Sequence, residues 1–193
     1  MDLFGPVRTK SLNGSSYCYV IIDDYSRYGW VLFLSSKSDA FDKFAKFCKA
    51  IENEKGKSIK RIRSDNGGEF KNHQFKEFCE EKGIKHEYST SHTPQQNGVV
   101  ERRNRTLQGM ARTMLHEFGI ARRFWAEAIN TACHVYNRVF LRPHTKKTPY
   151  ELYHDKKPSI SYFKVFGCKC FILNKRDNLD MFDSKVDDGY MLG

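Results

Sequence analysis

Phe41, Phe44, Cys48 and Ile51 recur at spacings of three and four, which predicts an amphipathic helix that runs out at Lys55-Gly56-Lys57, with Ser38 as its N-cap. Ahead of it, residues 17–23 and 28–34 are apolar β-rich runs joined by the short polar stretch 24–27, the pattern of an antiparallel hairpin. Residues 1–6 read as the end of a further strand entering a Gly-Pro turn. Beyond the first helix, residues 59–64 mix apolar and basic positions as a fourth strand, ended by Gly67-Gly68. Residues 73–82 form a short helix with Phe75, Phe78 and Cys79 inward; Gly83 stops it, and residues 84–88 make a fifth strand.

Residues 89–98 contain Ser, Thr, His, Pro, Gln, Asn and Gly with no apolar side chain, a loop with freedom to move. A long helix follows from Asn97 to about Phe118, with Val100, Leu107, Met110, Ala111, Met114 and Leu115 on its apolar side. Another spans residues 122–140, and Thr148 opens a short helical turn over residues 148–152. The tail is β-like at residues 165–173 and 189–192. A hairpin, then alternating helix and strand, then two long helices predict an α/β fold, a mixed sheet of about five strands flanked by helices. The chain begins and ends in mid-pattern, so the first strand and the C-terminal β segment are both expected to be truncated.

Composition narrows the partners. The 193 residues suit one domain with a small appendage, and 39% hydrophobic content allows a real core. A formal charge of +10 favours a polyanion. Six cysteines are scattered through apolar patterns with no secretory or membrane-length segment, as in a reduced intracellular protein. Cys168 and Cys170 have no second Cys or His pair beside them, which argues against zinc.

The candidate chemistry rests on three carboxylates. Asp2 lies on the first strand, Asp65 at the end of the fourth and Glu101 on the first turns of a helix; thirty-five residues separate the last two. Adjacent strands bring distant carboxylates side by side, and a crossing helix supplies a third. Their mutual repulsion is tolerated when divalent cations neutralise it. Two Mg²⁺ ions about 4 Å apart serve in-line phosphoryl displacement, and an all-oxygen donor set favours Mg²⁺ or Mn²⁺ over zinc. Spacing alone does not decide the matter, because an isolated Asp-Asn-Gly often makes an Asx turn and a helical Glu often faces solvent.

Longer blocks carry more weight. Asp-Leu-Phe-Gly-Pro-Val (2–7), Ile-Asp-Asp-Tyr-Ser-Arg-Tyr-Gly-Trp (22–30), Arg-Ser-Asp-Asn-Gly-Gly-Glu-Phe (63–70) and Thr-Pro-Gln-Gln-Asn-Gly-Val-Val-Glu-Arg-Arg-Asn-Arg-Thr-Leu (93–107) follow one another in order. Ala-Arg-Thr-Met-Leu (111–115), Phe-Trp-Ala-Glu-Ala (124–128), Lys-Thr-Pro-Tyr-Glu-Leu (147–152) and Val-Phe-Gly-Cys (165–168) continue the series. The whole resembles the integrase catalytic core of a copia-type LTR retrotransposon Pol polyprotein, in the ribonuclease H-like superfamily. The resemblance implies a ribonuclease H-like core over residues 1–158 and the start of an SH3-like β-domain over 159–193. It implies Asp2, Asp65 and Glu101 as catalytic metal ligands and two Mg²⁺ or Mn²⁺ ions. The implied activity is DNA integration, the joining of 3′-hydroxyl ends of element cDNA to target DNA, in a homo-oligomer, in the nucleus after a cytoplasmic phase.

Around these, Asn104 and Arg105 share the helix face of Glu101 and are read as facing DNA phosphate, with Arg102 and Arg103 peripheral. Gln95, Gln96, Asn97 and Gly98 are candidates for positioning substrate, and Asn66 for orienting water at a metal or capping a turn. Lys55, Lys57, Lys60, Arg61 and Arg63 could meet target backbone. His86 reads as structural, Asp23 and Asp24 as turn residues, and Phe124, Trp125 and Tyr136 as core or self-association surface. Two other readings remain: a non-catalytic nucleic-acid-binding remnant, and a ribonuclease H-like nuclease that cuts without joining.

Overall fold

A computed structural model describes residues 1–89, 97–174 and 184–193. β1 (Asp2–Phe4), β2 (Tyr17–Ile22) and β3 (Gly29–Leu34) form an antiparallel ladder in that order, with Asp2 opposite Val20 and Ile21 opposite Trp30. β4 (Arg61–Ser64) and β5 (Lys85–Tyr88) form a separate parallel pair. The two ladders meet at β1, where the Met1 nitrogen donates to the Arg63 carbonyl at 2.6 Å. The expected five strands are all present, but paired as three plus two.

β2 reads as a continuous apolar run because both of its faces are covered. Cys18 and Val20 face one core, built with α3 (Gly98–Glu117) and α4 (Trp125–Val139) around Leu107, Ala128 and Ile129. Tyr19 and Ile21 face a second core, built with α1 (Ala40–Lys55) and α2 (His73–Lys82) around Phe44, Phe70 and Phe75.

The helix ends follow local chemistry. α2 starts where Asn72 Oδ1 accepts the Phe75 N–H and stops at Gly83, whose φ of 64° suits glycine. Ser38 does not cap α1, whose N-cap is Asp39; Ser36 instead opens a 3-10 turn (Lys37–Asp39) ahead of it, and Asp39 Oδ2 reaches back to accept the Ser36 N–H at 2.9 Å. α5 (Pro149–His154) is opened by a Thr148–Glu151 capping box. In the tail, β6 (Lys169–Leu173) pairs with β7 (Val186–Tyr190); the first is shorter than the sequence expectation and the second lies three residues earlier. Phe166 and Leu192, just outside them, pack into the α3–α4 core instead.

Candidate active site

Three elements carry the three carboxylates to one edge of the fold. β1 holds Asp2 half-buried, where Asp2 Oδ1 accepts the Leu3 N–H at 2.8 Å and Oδ2 accepts from Asn104 Nδ2 at 2.7 Å. Asp65 follows the last residue of β4 and is half-buried, its Oδ1 accepting the Gly67 N–H at 3.1 Å, so the Asx turn is formed. Glu101 lies in the first turn of α3 and is exposed, near the positive end of the helix dipole.

Electrostatics ties the three together. The Asp2 carboxyl is pushed above its ordinary value, chiefly by burial, and the carboxylates of Asp65 and Glu101 add to the rise; the Leu3 N–H opposes it. Among the described residues, no three of His, Cys, Asp and Glu are gathered closely enough to form a metal-binding group. The three therefore share one field without closing into a compact triad. The donor set still suits a hard divalent cation. Asn104 Oδ1, beside Asp2, is buried with no hydrogen-bond partner, an orphaned oxygen facing the same region.

The neighbouring candidates sort by burial. Asn104 is only 5% exposed and its amide is engaged by Asp2, so it sits inside the site and not on a phosphate-facing surface. Arg105 and Asn66 are exposed and reachable. Asn97 is buried at the N-cap of α3 without a side-chain cap bond. Gln95 and Gln96 lie outside the described residues. Asp23 Oδ2 accepts from the Ser26 backbone and hydroxyl, and Asp24 pairs with Arg27, both within the β2–β3 turn.

The basic run is partly committed elsewhere. Lys55 donates to the Tyr153 carbonyl at 2.8 Å and lies 3.5 Å over the Tyr153 ring. Arg61, Arg63 and Lys85 all share Glu87. Lys57 and Lys60 remain exposed.

Arg103 is the main correction to the sequence reading. It is not peripheral: at 5% exposure it donates to the Arg27 carbonyl at 2.8 Å and stacks 3.6 Å over Tyr136. Asn137 completes the interlock, accepting the Gly29 N–H at 2.9 Å and donating to its carbonyl at 2.8 Å. A Cβ on Gly29 would stand 2.7 Å from Arg103 Nη1. A glycine at the start of an apolar strand was the available signal, since it often marks close approach of another group.

His86 supports Asp65 from below. Ser64 Oγ donates to the Asp65 carbonyl at 2.8 Å, so His86 Nε2, 2.9 Å from Ser64 Oγ, is the donor to that hydroxyl. Nδ1 is buried without a partner, and the ring lies against Tyr88 with centroids 4.1 Å apart. Burial, then the Met1 amino group, lowers the His86 pKa to about 4. A folded-state value below the unfolded one means the unfolded chain binds the extra proton first. Stability is therefore full above about pH 6.5 and falls as the pH drops toward 4. His86→Gln should show a shallower fall in melting temperature across that window; equal slopes would remove His86 from the account.

Residues 1–94 match the family described as Integrase core domain. The chain is 40% identical over 184 residues to the Retrovirus-related Pol polyprotein from transposon TNT 1-94 of Nicotiana tabacum, covering 95% of this chain and 14% of that protein. It is 31% identical over 161 residues to the corresponding polyprotein from transposon RE2 of Arabidopsis thaliana, covering 83% of this chain and 11% of that one. The chain thus spans a small part of these relatives. Among solved structures, the HTLV-2 integrase catalytic core domain in complex with magnesium superposes with a TM-score of 0.56 at 23% identity, over 79% of this chain and 95% of that one. A chain of the simian T-cell lymphotropic virus intasome in complex with PP2A regulatory subunit B56 gamma gives 0.62 at 20% identity, over 98% of this chain and 66% of that one. These two likenesses show the fold, the ribonuclease H-like α/β architecture.

Proposed function

Because residues 1–94 match the integrase core domain family and the chain is 40% identical to a transposon Pol polyprotein over most of its length, we propose that it is a polynucleotidyl transferase joining 3′-hydroxyl ends of element cDNA to target DNA. The observation that carries the reading is the convergence of Asp2, Asp65 and Glu101 from β1, the end of β4 and α3 into one electrostatic neighbourhood.

Asp2, Asp65 and Glu101 would hold Mg²⁺ or Mn²⁺, which when bound would neutralise their repulsion and the charge that builds on the phosphodiester oxygens. The chain's own groups do the rest. Asn104 fixes one Asp2 oxygen, and the Leu3 N–H fixes the other. The Asx turn fixes Asp65, and the Ser64–His86 pair holds the backbone under it. Arg105, Lys57 and Lys60, all exposed, supply positive charge for the DNA backbone. Two DNA ends call for more than one copy of the chain, and the nucleus is the place of action that this reading assigns.

The spread of the three carboxylates favours one competing reading, a chain that binds DNA without cutting it. A strand-transfer assay with labelled oligonucleotide and Mn²⁺ separates them. Joined product is expected. Nicks alone would make the protein a nuclease, and retained binding with no product would make it a binding module. In the same preparation, log affinity for DNA should fall linearly with log salt, by ~0.9 for each phosphate neutralised; a flat response would remove the basic surface from the argument.

A further inference from the structure

At the end of α3 remote from Glu101, the chain forms a second concave surface, a cleft of about 800 Å³. The loop that follows β1 makes one wall, and the last turns of α3 with the α3–α4 connection make the other. The floor is apolar: Val7, Leu115 and Ile120 pack on the core that holds Trp125 and Ile129. Local bonds fix both walls. Trp125 Nε1 donates to the Thr9 carbonyl at 2.9 Å and holds the loop down. Gly119, at a φ of 59°, turns the chain out of α3 so that the Ile120 N–H reaches the Leu115 carbonyl at 2.9 Å.

The rim is basic. Arg112 and His116 stand four residues apart on α3 and share a face, while Arg8 comes from the loop and Arg122 from the connection. All four are exposed, and among the described residues none of them has a salt bridge or a side-chain hydrogen bond. No described aspartate or glutamate lines the cleft. Elsewhere exposed cations find acids: Lys37 has Glu69, Lys82 has Glu52, and Arg61 and Arg63 share Glu87. Here three guanidinium groups border an apolar floor with no counter-charge from the lining, which leaves that role to a ligand.

We propose that this cleft binds a small organic anion, with an apolar, ring-bearing body on the floor and one carboxylate, sulfonate or phosphate group at Arg112 and Arg8. The volume suits a ligand of that size, and a planar guanidinium offers paired donors to an oxoanion. Gln108, one turn before Arg112 on the same face, adds an amide for a neutral polar group. The site is separate from the carboxylate centre, because Leu115 lies about 20 Å along α3 from Glu101 at ~1.5 Å per residue.

The test uses the purified chain and 8-anilinonaphthalene-1-sulfonate, an aromatic body with one oxoanion. Saturable one-to-one binding is expected with Kd on the order of 10⁻⁵ M, with shifts at the Val7, Leu115 and Ile120 amides and the Trp125 indole. Arg112→Glu and Arg8→Glu, both at exposed positions, should each raise Kd about tenfold or more and leave the melting temperature unchanged. N-phenyl-1-naphthylamine, the same body without the sulfonate, should bind about tenfold more weakly. Equal affinity for this neutral amine would overturn the proposal, since the cleft would then be an apolar pocket only. Displacement of the probe by an equal concentration of sodium sulfate would overturn it as well, by reducing the rim to a simple anion site. So would unchanged affinity in both charge reversals, or displacement by a short DNA duplex at equal phosphate concentration. These readouts are binding and resonance position, so the outcome does not depend on DNA joining.

Discussion

Glu101→Gln should abolish joined product, by on the order of 10³-fold, corresponding to about 4 kcal/mol of lost transition-state stabilisation at a metal-assisted centre. The substitution keeps the size and hydrogen-bonding reach of the side chain and removes its charge. Glu101 is exposed on the first turn of α3 and carries no packing role, so the melting temperature should stay near that of the unmodified chain. Binding to DNA should hold or tighten, because one negative charge leaves a surface that meets phosphate. Strand transfer at fixed Mn²⁺, with affinity measured on the same preparation, checks both halves. Joined product within tenfold of the original would take Glu101 out of the chemistry. Loss of binding together with activity would instead assign it a structural part.

Arg103→Met should be the most destabilising single change near the site, by about 3 kcal/mol. Methionine matches the length of the stem and still lies over Tyr136. It leaves the Arg27 carbonyl and part of the Asn137 amide without a donor inside the protein. Arg103→Lys should recover only a fraction, since an ammonium can neither stack flat on Tyr136 nor serve two acceptors in a planar fork. Urea unfolding with the slope held common checks the size; a loss under about 1 kcal/mol would mean that water replaces the guanidinium at little cost. Activity should fall with stability in this variant and recover at lower temperature, which distinguishes it from Glu101→Gln.

Most elements were legible because their signals are local. The stripe from Phe41 to Ile51 and the Asn72 and Gly83 ends of α2 need only neighbours three or four residues away. Asp65 and Glu101 could be placed because a strand end and a helix start are both readable in the chain. The Arg103–Gly29–Asn137 interlock was not legible, because an arginine between two others on a helix normally faces water. Only the approach of α4 to the start of β3 gives it acceptors. Asn104 misled for a related reason. Spacing put it on the face of Glu101, but that face turns inward within one turn, so Glu101 is exposed and Asn104 is closed against Asp2. The division of the sheet was equally hidden, since strand patterns show which residues extend and not how many partners each strand finds.

That division has a mechanical meaning for the chemistry. Asp2 and Asn104 are fastened to each other, with Glu101 one turn away on the same helix, whereas Asp65 rides on the other ladder. Among the described residues, the bond from the Met1 nitrogen to the Arg63 carbonyl is the hydrogen bond that spans the seam between them. The spacing between Asp65 and the Asp2–Asn104 pair is therefore set more by side chains packed in the shared core, where Tyr19 and Ile21 meet Ile62 and Ile84, than by ladder hydrogen bonds.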